Sequence, residues 1–122
     1  MKILIADEDN LYRLVLSQLL YDDGYDVIST HTSGRAWEYL RMETPDICIF
    51  DAALPGIHGM PVAEKIKADA ELRRIPVILL CAGAAAVPET LRSAADFFVE
   101  KPEEAGEVVS LIEELLGKVP VR

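Results

Sequence analysis

Residues 47–56 read ICIFDAALPG, and this stretch decides the fold class of the chain. A short apolar run leads directly into Asp51 and then stops at a Pro-Gly turn. A continuously apolar segment of this kind is typical of a central parallel strand that is covered on both faces. A charge at the end of a buried strand is costly unless it has a partner or a chemical role, so Asp51 is the first candidate functional residue.

Short apolar runs alternate with longer helical segments along the whole chain. The predicted strands are Lys2–Ala6, Tyr25–Thr30, Asp46–Asp51, Pro76–Cys81 and Asp96–Val99. The predicted helices are Asn10–Tyr21, Gly34–Arg41 with Ser33 as its N-cap, Met60–Ala70, Pro88–Ala95 and Glu103–Leu116. Five such units predict an α/β fold, in which an open parallel sheet carries helices on both faces and the fourth helix is short.

Helical spacing also predicts which apolar side chains of the first two helices face the core. In the first helix these are Leu11, Leu14, Val15 and Leu19, and in the second they are Trp37 and Leu40. We expect one domain over residues 1–117, followed by a C-terminal tail or truncated linker at residues 118–122.

Composition narrows the classes of function. The chain has 122 residues and a net charge of −9, which argues against direct contact with nucleic acid because phosphate backbones require Lys and Arg. No apolar run approaches the length of a membrane span, and the N-terminus lacks a signal-peptide pattern, so a cytoplasmic location is expected. Cys48 and Cys81 lie inside apolar runs without metal-ligand spacing, which predicts buried, reduced thiols.

Charged residues follow several of the predicted strands. Asp7-Glu8-Asp9 follow the first, Asp51 ends the third, and Lys101 comes just after the fifth. In a parallel sheet these positions share one edge, where carboxylates would repel unless a cation intervenes. Mg²⁺ suits such oxygen ligands, a metal-bound Asp is a competent nucleophile toward phosphorus, and a lysine can neutralise phosphoryl oxygens. Asp9 is better explained as the N-cap of the first helix, and His31 and His58 as loop residues.

Taken together, the segments KILIADEDN, PDICIFDAALPGIHGMPVAEKIKAD, RRIPVILLCAG and FFVEKP resemble the receiver domain of a two-component response regulator. The resemblance extends from Lys2 to Leu116 and implies the strand order 2-1-3-4-5. It implies that Asp51 is the phosphoacceptor and that Lys101 pairs with the phosphoryl group. The metal ligands would be Asp7, Glu8, Asp51 and the backbone carbonyl of Ala53, and Lys101–Pro102 would be a cis peptide.

The resemblance also implies partners. A sensor histidine kinase or a phosphotransfer protein would supply the phosphoryl group, and the receiver would catalyse only its own phosphorylation and dephosphorylation. An unidentified downstream protein would read the result. The face formed by the fourth helix, fifth strand and fifth helix is where the family contacts partners, and a second copy of the chain could bind there. No membrane contact is implied.

Several positions depart from the family pattern. Cys81 replaces the usual Thr or Ser whose hydroxyl bonds to the phosphoryl group, and a thiol is a poor donor. The aromatic switch position is Phe98, the fourth helix is about two residues shorter than usual, and Ala94 stands where Gly often makes a turn. Ala53 and Gly83 are too small to position a water by side chain, which predicts a long-lived phosphoryl group.

Four alternatives remain open. The chain could be a receiver-fold interaction module that ignores phosphate, which Cys81 and the short fourth helix favour. It could be a phosphatase of the haloacid dehalogenase kind or a flavin-binding relative, but a second acid pair and a suitable phosphate loop are both missing. Cys81 could also be a reactive thiol, although neighbouring carboxylates should raise its pKa.

Overall fold

The computed structural model describes residues 1–83 and 87–118, in which strands and helices alternate. The strands are β1 (Lys2–Ala6), β2 (Asp26–Thr30), β3 (Ile47–Asp51), β4 (Val77–Cys81) and β5 (Phe97–Glu100). The helices are α1 (Asn10–Asp22), α2 (Ser33–Glu43), α3 (Val62–Lys67), α4 (Glu89–Ser93) and α5 (Ala105–Leu116). All strand pairs are parallel and the order is β2-β1-β3-β4-β5, which confirms the predicted fold. Most of the predicted tail, residues 119–122, lies outside the described residues.

The three central strands are buried on both faces, as their apolar runs predict. Successive side chains of a strand point to opposite faces, so each strand contributes to two cores. Phe50 and Leu79 face α2, α3 and α4, whereas Ile49 and Ile78 face α1 and α5. These layers hold the carboxyl ends of β1, β3 and β4 at one edge of the sheet.

Helix α1 buries a face that only partly matches the predicted one. Tyr12, Leu16 and Leu20 are its buried residues, and the predicted Val15 packs partly buried against the same core, whereas Leu11 and Leu14 are 73% and 58% exposed. Both sets of residues have helical spacing, so the sequence alone does not choose between them. Packing against α5 and the sheet selects the set that contains Tyr12.

The N-cap of α2 also differs from the prediction. Thr32 is the N-cap, and its hydroxyl accepts a hydrogen bond from the Arg35 N–H at 3.3 Å. Ser33 is already helical and instead donates its hydroxyl to the carbonyl of Pro55, in the loop after β3. The prediction was wrong because two adjacent hydroxyl residues can each cap a helix, and here a tertiary contact engages the second.

Three helices are shorter than predicted, and of these α5 begins at Ala105 rather than at Glu103. Helix α3 begins after Pro61 because Met60 pairs with Ile57 in a tight turn, and it ends before Asp69. Helix α4 is confirmed as short, and its C-cap Ala94 has a φ of −79°. Any residue can adopt that backbone angle. Position 94, where the family often has glycine, therefore does not require glycine in this chain.

No helix within the described ranges is long and apolar enough to cross a membrane.

Candidate functional site

Asp7, Asp51 and Lys101 meet at the carboxyl edge of the sheet. Asp7 follows β1 directly, Asp51 is the last residue of β3, and Lys101 follows β5. The Lys101 N–H donates to the Cys81 carbonyl at 2.7 Å, which extends the β4–β5 pairing to the site. Three strands that are far apart in the sequence therefore deliver the three charged groups to one place.

Lys101 forms a buried ion-pair cluster with both carboxylates. Its Nζ lies 2.7 Å from Asp7 Oδ2 and 3.5 Å from Asp51 Oδ1. The side chains of Asp7, Asp51 and Lys101 are only 3%, 11% and 11% exposed. One ammonium thus partly neutralises two carboxylates in a poorly solvated setting, so the cluster retains an excess negative charge.

Backbone contacts fix the position of Asp7. Its Oδ1 accepts the Asp9 N–H at 2.9 Å, and Arg13 Nη1 donates to its carbonyl at 2.7 Å. Asp9 in turn accepts the Tyr12 N–H at 3.0 Å, which confirms that Asp9 is the N-cap of α1. Asp7 is therefore anchored at the start of α1 with its other oxygen, Oδ2, directed to Lys101.

Asp51 is held in a setting that disfavours its charge. The pKa of the Asp51 carboxyl group is raised, mainly by burial and secondly by the negative charge of Asp7. The Lys101 ammonium and a hydrogen bond from the Ala53 N–H oppose this rise without cancelling it. The free domain therefore keeps a carboxylate whose charge is under-compensated.

The carboxylates at this edge of the sheet suit a magnesium ion, although they do not form a complete metal site by themselves. Within the described parts of the chain, no three His, Cys, Asp or Glu side chains are grouped as a ready metal site, and Glu8 is exposed. However, Asp7 Oδ2 is buried and its charge is met there by the Lys101 ammonium, which lies 2.7 Å away. Mg²⁺ typically needs only one or two protein carboxylates, with waters and phosphate completing its octahedron. Two buried carboxylates that share a single lysine fit that requirement.

Cys81 occupies the end of β4, beside Glu100 of β5. It is a free, buried cysteine, as is Cys48. The pKa of the Cys81 thiol is raised, mainly by burial and secondly by the negative charge of Glu100. Burial also raises the pKa of the Cys48 thiol. The raised pKa argues against a reactive thiolate at Cys81, because nucleophilic cysteines need a lowered pKa.

The remaining predicted residues lie on loops and on β5. Ala53 is exposed in the loop after β3, and Phe98 is half-buried on β5. His31 and His58 are exposed loop residues, as predicted. The prediction of a cis Lys101–Pro102 bond is wrong, since every described peptide bond is trans; trans is the lower-energy form of an X–Pro bond.

Tyr12 is a site residue that sequence reasoning missed. Lys101 Nζ lies 4.5 Å from the centre of its ring, and its hydroxyl donates to the Pro102 carbonyl at 3.3 Å. Burial and the nearby Asp7 raise the pKa of Tyr12 to about 12, so the phenol stays protonated at neutral pH. The sequence does contain an indication of this, because the four-residue spacing of Tyr12, Leu16 and Leu20 places them on one face of a helix.

Removing the charge of Asp51 is expected to stabilise the metal-free domain. Because the pKa of Asp51 is raised in the folded state, its ionised form lowers stability at neutral pH, and this penalty declines as the pH falls from the folded-state pKa to the ordinary pKa of the unfolded chain. We expect Asp51→Asn to raise the melting temperature by roughly 2–5 °C near pH 7 in EDTA, and to converge with wild type in acid.

Asp96→Asn is the matched control for that measurement. Asp96 Oδ2 accepts hydrogen bonds from Lys67 Nζ and from the Val77 N–H, each at 2.8 Å. The same substitution should therefore lower the melting temperature at this position. A wild type that melts at or above the Asp51→Asn variant near neutral pH would contradict the electrostatic account of the site.

Comparison with known proteins agrees with this geometry. The chain belongs to the response regulator receiver domain family, whose model matches residues 3–113. It is 28% identical over 117 residues to the polar-differentiation response regulator DivK of Brucella ovis. The aligned region covers 94% of this chain and 95% of DivK.

Solved structures show the same similarity. The response regulator TrrA of Thermotoga maritima, determined in complex with Mg²⁺ and BeF, is 26% identical with a TM-score of 0.77, over 93% of this chain and 97% of that one. A response regulator from Desulfuromonas acetoxidans, 24% identical over 98% of both chains, shares the fold with a TM-score of 0.82. The chain is thus a receiver domain of the response regulator class.

Proposed function

We propose that this receiver domain accepts a phosphoryl group on Asp51 in a Mg²⁺-dependent reaction and that the modification changes which partner it binds. The observation that carries this proposal is the buried cluster in which Lys101 lies between Asp7 and Asp51. A merely structural carboxylate would be expected to have a full complement of partners, whereas Asp51 has a raised pKa in a poorly solvated site.

Asp7 and Asp51 would hold the metal ion, with Glu8 and the carbonyl of Ala53 as further ligands. Bound Mg²⁺ would supply positive charge for the phosphoryl oxygens and for the carboxylates. The burial of the two carboxylates, which share the single positive charge of Lys101, supports this assignment. The similarity to TrrA, which was determined with Mg²⁺ and BeF, supports it independently.

In the transfer step, an Asp51 carboxylate oxygen forms a bond to phosphorus. The P–N bond of a donor phosphohistidine breaks, and the leaving imidazole keeps the electron pair and takes a proton. Lys101 moves from Asp7 toward the new phosphoryl oxygens, since its Nζ is already 3.5 Å from Asp51. The domain catalyses its own modification in this way, with the phosphodonor as its co-substrate.

Two features set how the modified state behaves. Ala53 and Gly83 carry no polar side chain that could orient a hydrolytic water, which supports a long-lived phosphoryl group. Cys81 offers only a weak donor where a hydroxyl is usual, so the aspartyl phosphate loses one strong hydrogen bond.

The partners follow from the same function. A histidine kinase or phosphotransfer protein would donate the phosphoryl group. A cleft of about 460 Å³ between β5 and α5, lined by Phe97, Phe98, Leu111 and Leu115 among others, supports partner or homodimer contact on the α4–β5–α5 face. Leu111 is 45% exposed there, so a partner would cover apolar surface.

The test is the intact mass of the protein after incubation with acetyl phosphate. We expect one phosphoryl adduct that requires both Mg²⁺ and Asp51, and therefore disappears in EDTA and in Asp51→Asn. Absence of an adduct in folded wild-type protein would contradict the proposal and favour an interaction module that works without phosphate. Cys81→Thr would then show whether the thiol is the cause.

A further inference from the structure

Tyr12 contacts both the ammonium group of Lys101 and the backbone just after this lysine. Lys101 Nζ lies 4.5 Å from the centre of the Tyr12 ring, within the range of a cation–π contact. The Tyr12 hydroxyl donates to the carbonyl of Pro102 at 3.3 Å. One aromatic side chain therefore restrains the charged end of Lys101 and the chain segment that carries it.

Tyr12 is itself held in place by the core and by the first turn of α1. Its residue is 8% exposed and packs in the core between the sheet and helices α1 and α5. Its N–H donates to Asp9 Oδ1 at 3.0 Å, and the Asp9 N–H donates to Asp7 Oδ1 at 2.9 Å. The ring and Asp7 therefore keep a fixed relative position, and the Lys101 ammonium lies against both.

The ring does not prevent Lys101 from moving toward Asp51. Lys101 Nζ lies 2.7 Å from Asp7 Oδ2 and 3.5 Å from Asp51 Oδ1. A shift of about 1 Å would bring the ammonium into contact with Asp51 and would keep it within roughly 6 Å of the ring centre, the limit of a cation–π contact. Since the ring carries no formal charge, it holds the ammonium in the site without tying it to either carboxylate.

We propose that Tyr12 is a positioning residue for the phosphoryl transfer: its ring keeps the Lys101 ammonium between Asp7 and Asp51, and its hydroxyl restrains the backbone at Pro102. This inference rests on the proposed function. A lysine side chain is long and flexible, and holding it before the phosphodonor arrives avoids the entropic cost of ordering it during the transfer. An aliphatic side chain at position 12 would fill the same space but would offer the ammonium no favourable contact.

The first test measures the rate of adduct formation with Mg²⁺ at a fixed concentration of acetyl phosphate, by intact mass. Tyr12→Leu removes the ring and the hydroxyl, whereas Tyr12→Phe removes only the hydroxyl. Tyr25→Leu is the matched control, because Tyr25 packs against the same core but follows the C-terminal end of α1. The melting temperature of each variant shows whether it folds.

We expect Tyr12→Leu to slow adduct formation about three- to thirtyfold, as for the loss of one cation–π contact in a poorly solvated site. Tyr12→Phe should stay within about threefold of wild type, because it keeps a ring and loses one hydrogen bond. Tyr25→Leu should match wild type in this rate, even where it lowers the melting temperature.

The second test follows the lysine itself by NMR. Protons that lie over an aromatic ring resonate upfield, so the ε-methylene protons of Lys101 should be shifted upfield in wild type, and Lys101→Met identifies them. Their shift should persist in Tyr12→Phe, vanish in Tyr12→Leu, and change without vanishing when Mg²⁺ and beryllofluoride bind. Lys65 is the internal reference, since its Nζ lies 4.6 Å from the ring centre of Trp37 and its shift should stay constant.

Three results would overturn the inference, and they differ in what they say of the function. If Tyr12→Leu folds and is slowed no more than Tyr25→Leu, while the adduct still requires Asp51, Tyr12 has only a structural role and the receiver chemistry stands. If Tyr12→Leu does not fold, the wild-type signal decides: unshifted Lys101 protons overturn the inference, and shifted protons that respond to beryllofluoride support it. If wild type forms no adduct, the proposed function and the inference fail together.

Discussion

Lys101→Met is expected to destabilise the metal-free domain by about 3 kcal/mol near neutral pH, the cost typical of removing one partner from a buried ion pair. The substitution keeps most of the packing volume on Tyr12 but leaves Asp7 and Asp51 with no cation between them. Their side chains are 3% and 11% exposed, so water cannot replace the ammonium effectively. Denaturant unfolding in EDTA gives the change in free energy directly.

The loss should shrink as the pH is lowered. Protonation of Asp51, whose pKa is already raised by burial and Asp7, removes the repulsion that the variant exposes. Lys2→Met is the matched control, since Lys2 Nζ lies 2.9 Å from Glu43 Oε2 in an exposed pair. It should leave the unfolding midpoint nearly unchanged. Equal effects of the two substitutions would show that the Lys101 cluster adds nothing beyond a surface ion pair.

Gly56→Ala is expected to destabilise the domain by about 2–3 kcal/mol, in the range of overpacking substitutions. A Cβ at position 56 would lie 2.7 Å from the Met60 carbonyl carbon and 2.8 Å from its oxygen. These atoms belong to the turn in which Ile57 and Met60 exchange backbone hydrogen bonds, so they cannot move independently. The strain would fall on the loop that follows Asp51, and adduct formation should slow as well.

Gly34→Ala provides a control of opposite sign. Gly34 lies in α2, where an added Cβ meets nothing within 4 Å. Replacing a helical glycine with alanine is worth roughly 0.5–1 kcal/mol in favour of the folded state. Thermal or denaturant unfolding of both variants separates the steric effect from the general effect of losing a glycine. If Gly56→Ala is also neutral or stabilising, the turn is less rigid than this close approach indicates.

The element pattern could be predicted because it depends on neighbouring residues. The apolar runs that form β1, β3 and β4 indicated central parallel strands, and the structure confirms their burial. The carboxyl ends of parallel strands share an edge, so the convergence of Asp7, Asp51 and Lys101 also followed from sequence. Strand burial and the shared edge both depend on the path of the backbone, so they could be predicted without knowing how side chains pack.

The choice between equivalent local patterns could not be predicted. Leu11 and Leu14 fit a helical face as well as Tyr12 and Leu16 do, yet only the second pair is buried. Thr32 and Ser33 can both cap α2, and the Pro55 carbonyl engages Ser33. In each case the local free energies are similar, and packing between distant segments makes the difference.

Local sequence patterns were sufficient to predict the fold, the edge of the sheet at which the charged residues lie, and the carboxylates and lysine placed there. Tertiary packing sets Lys101 nearer to Asp7 than to Asp51 and places it over the ring of Tyr12. It also decided that Arg92 covers Phe98. These contacts join residues from separate elements, and their geometry depends on how whole helices pack on the sheet, which no local pattern encodes.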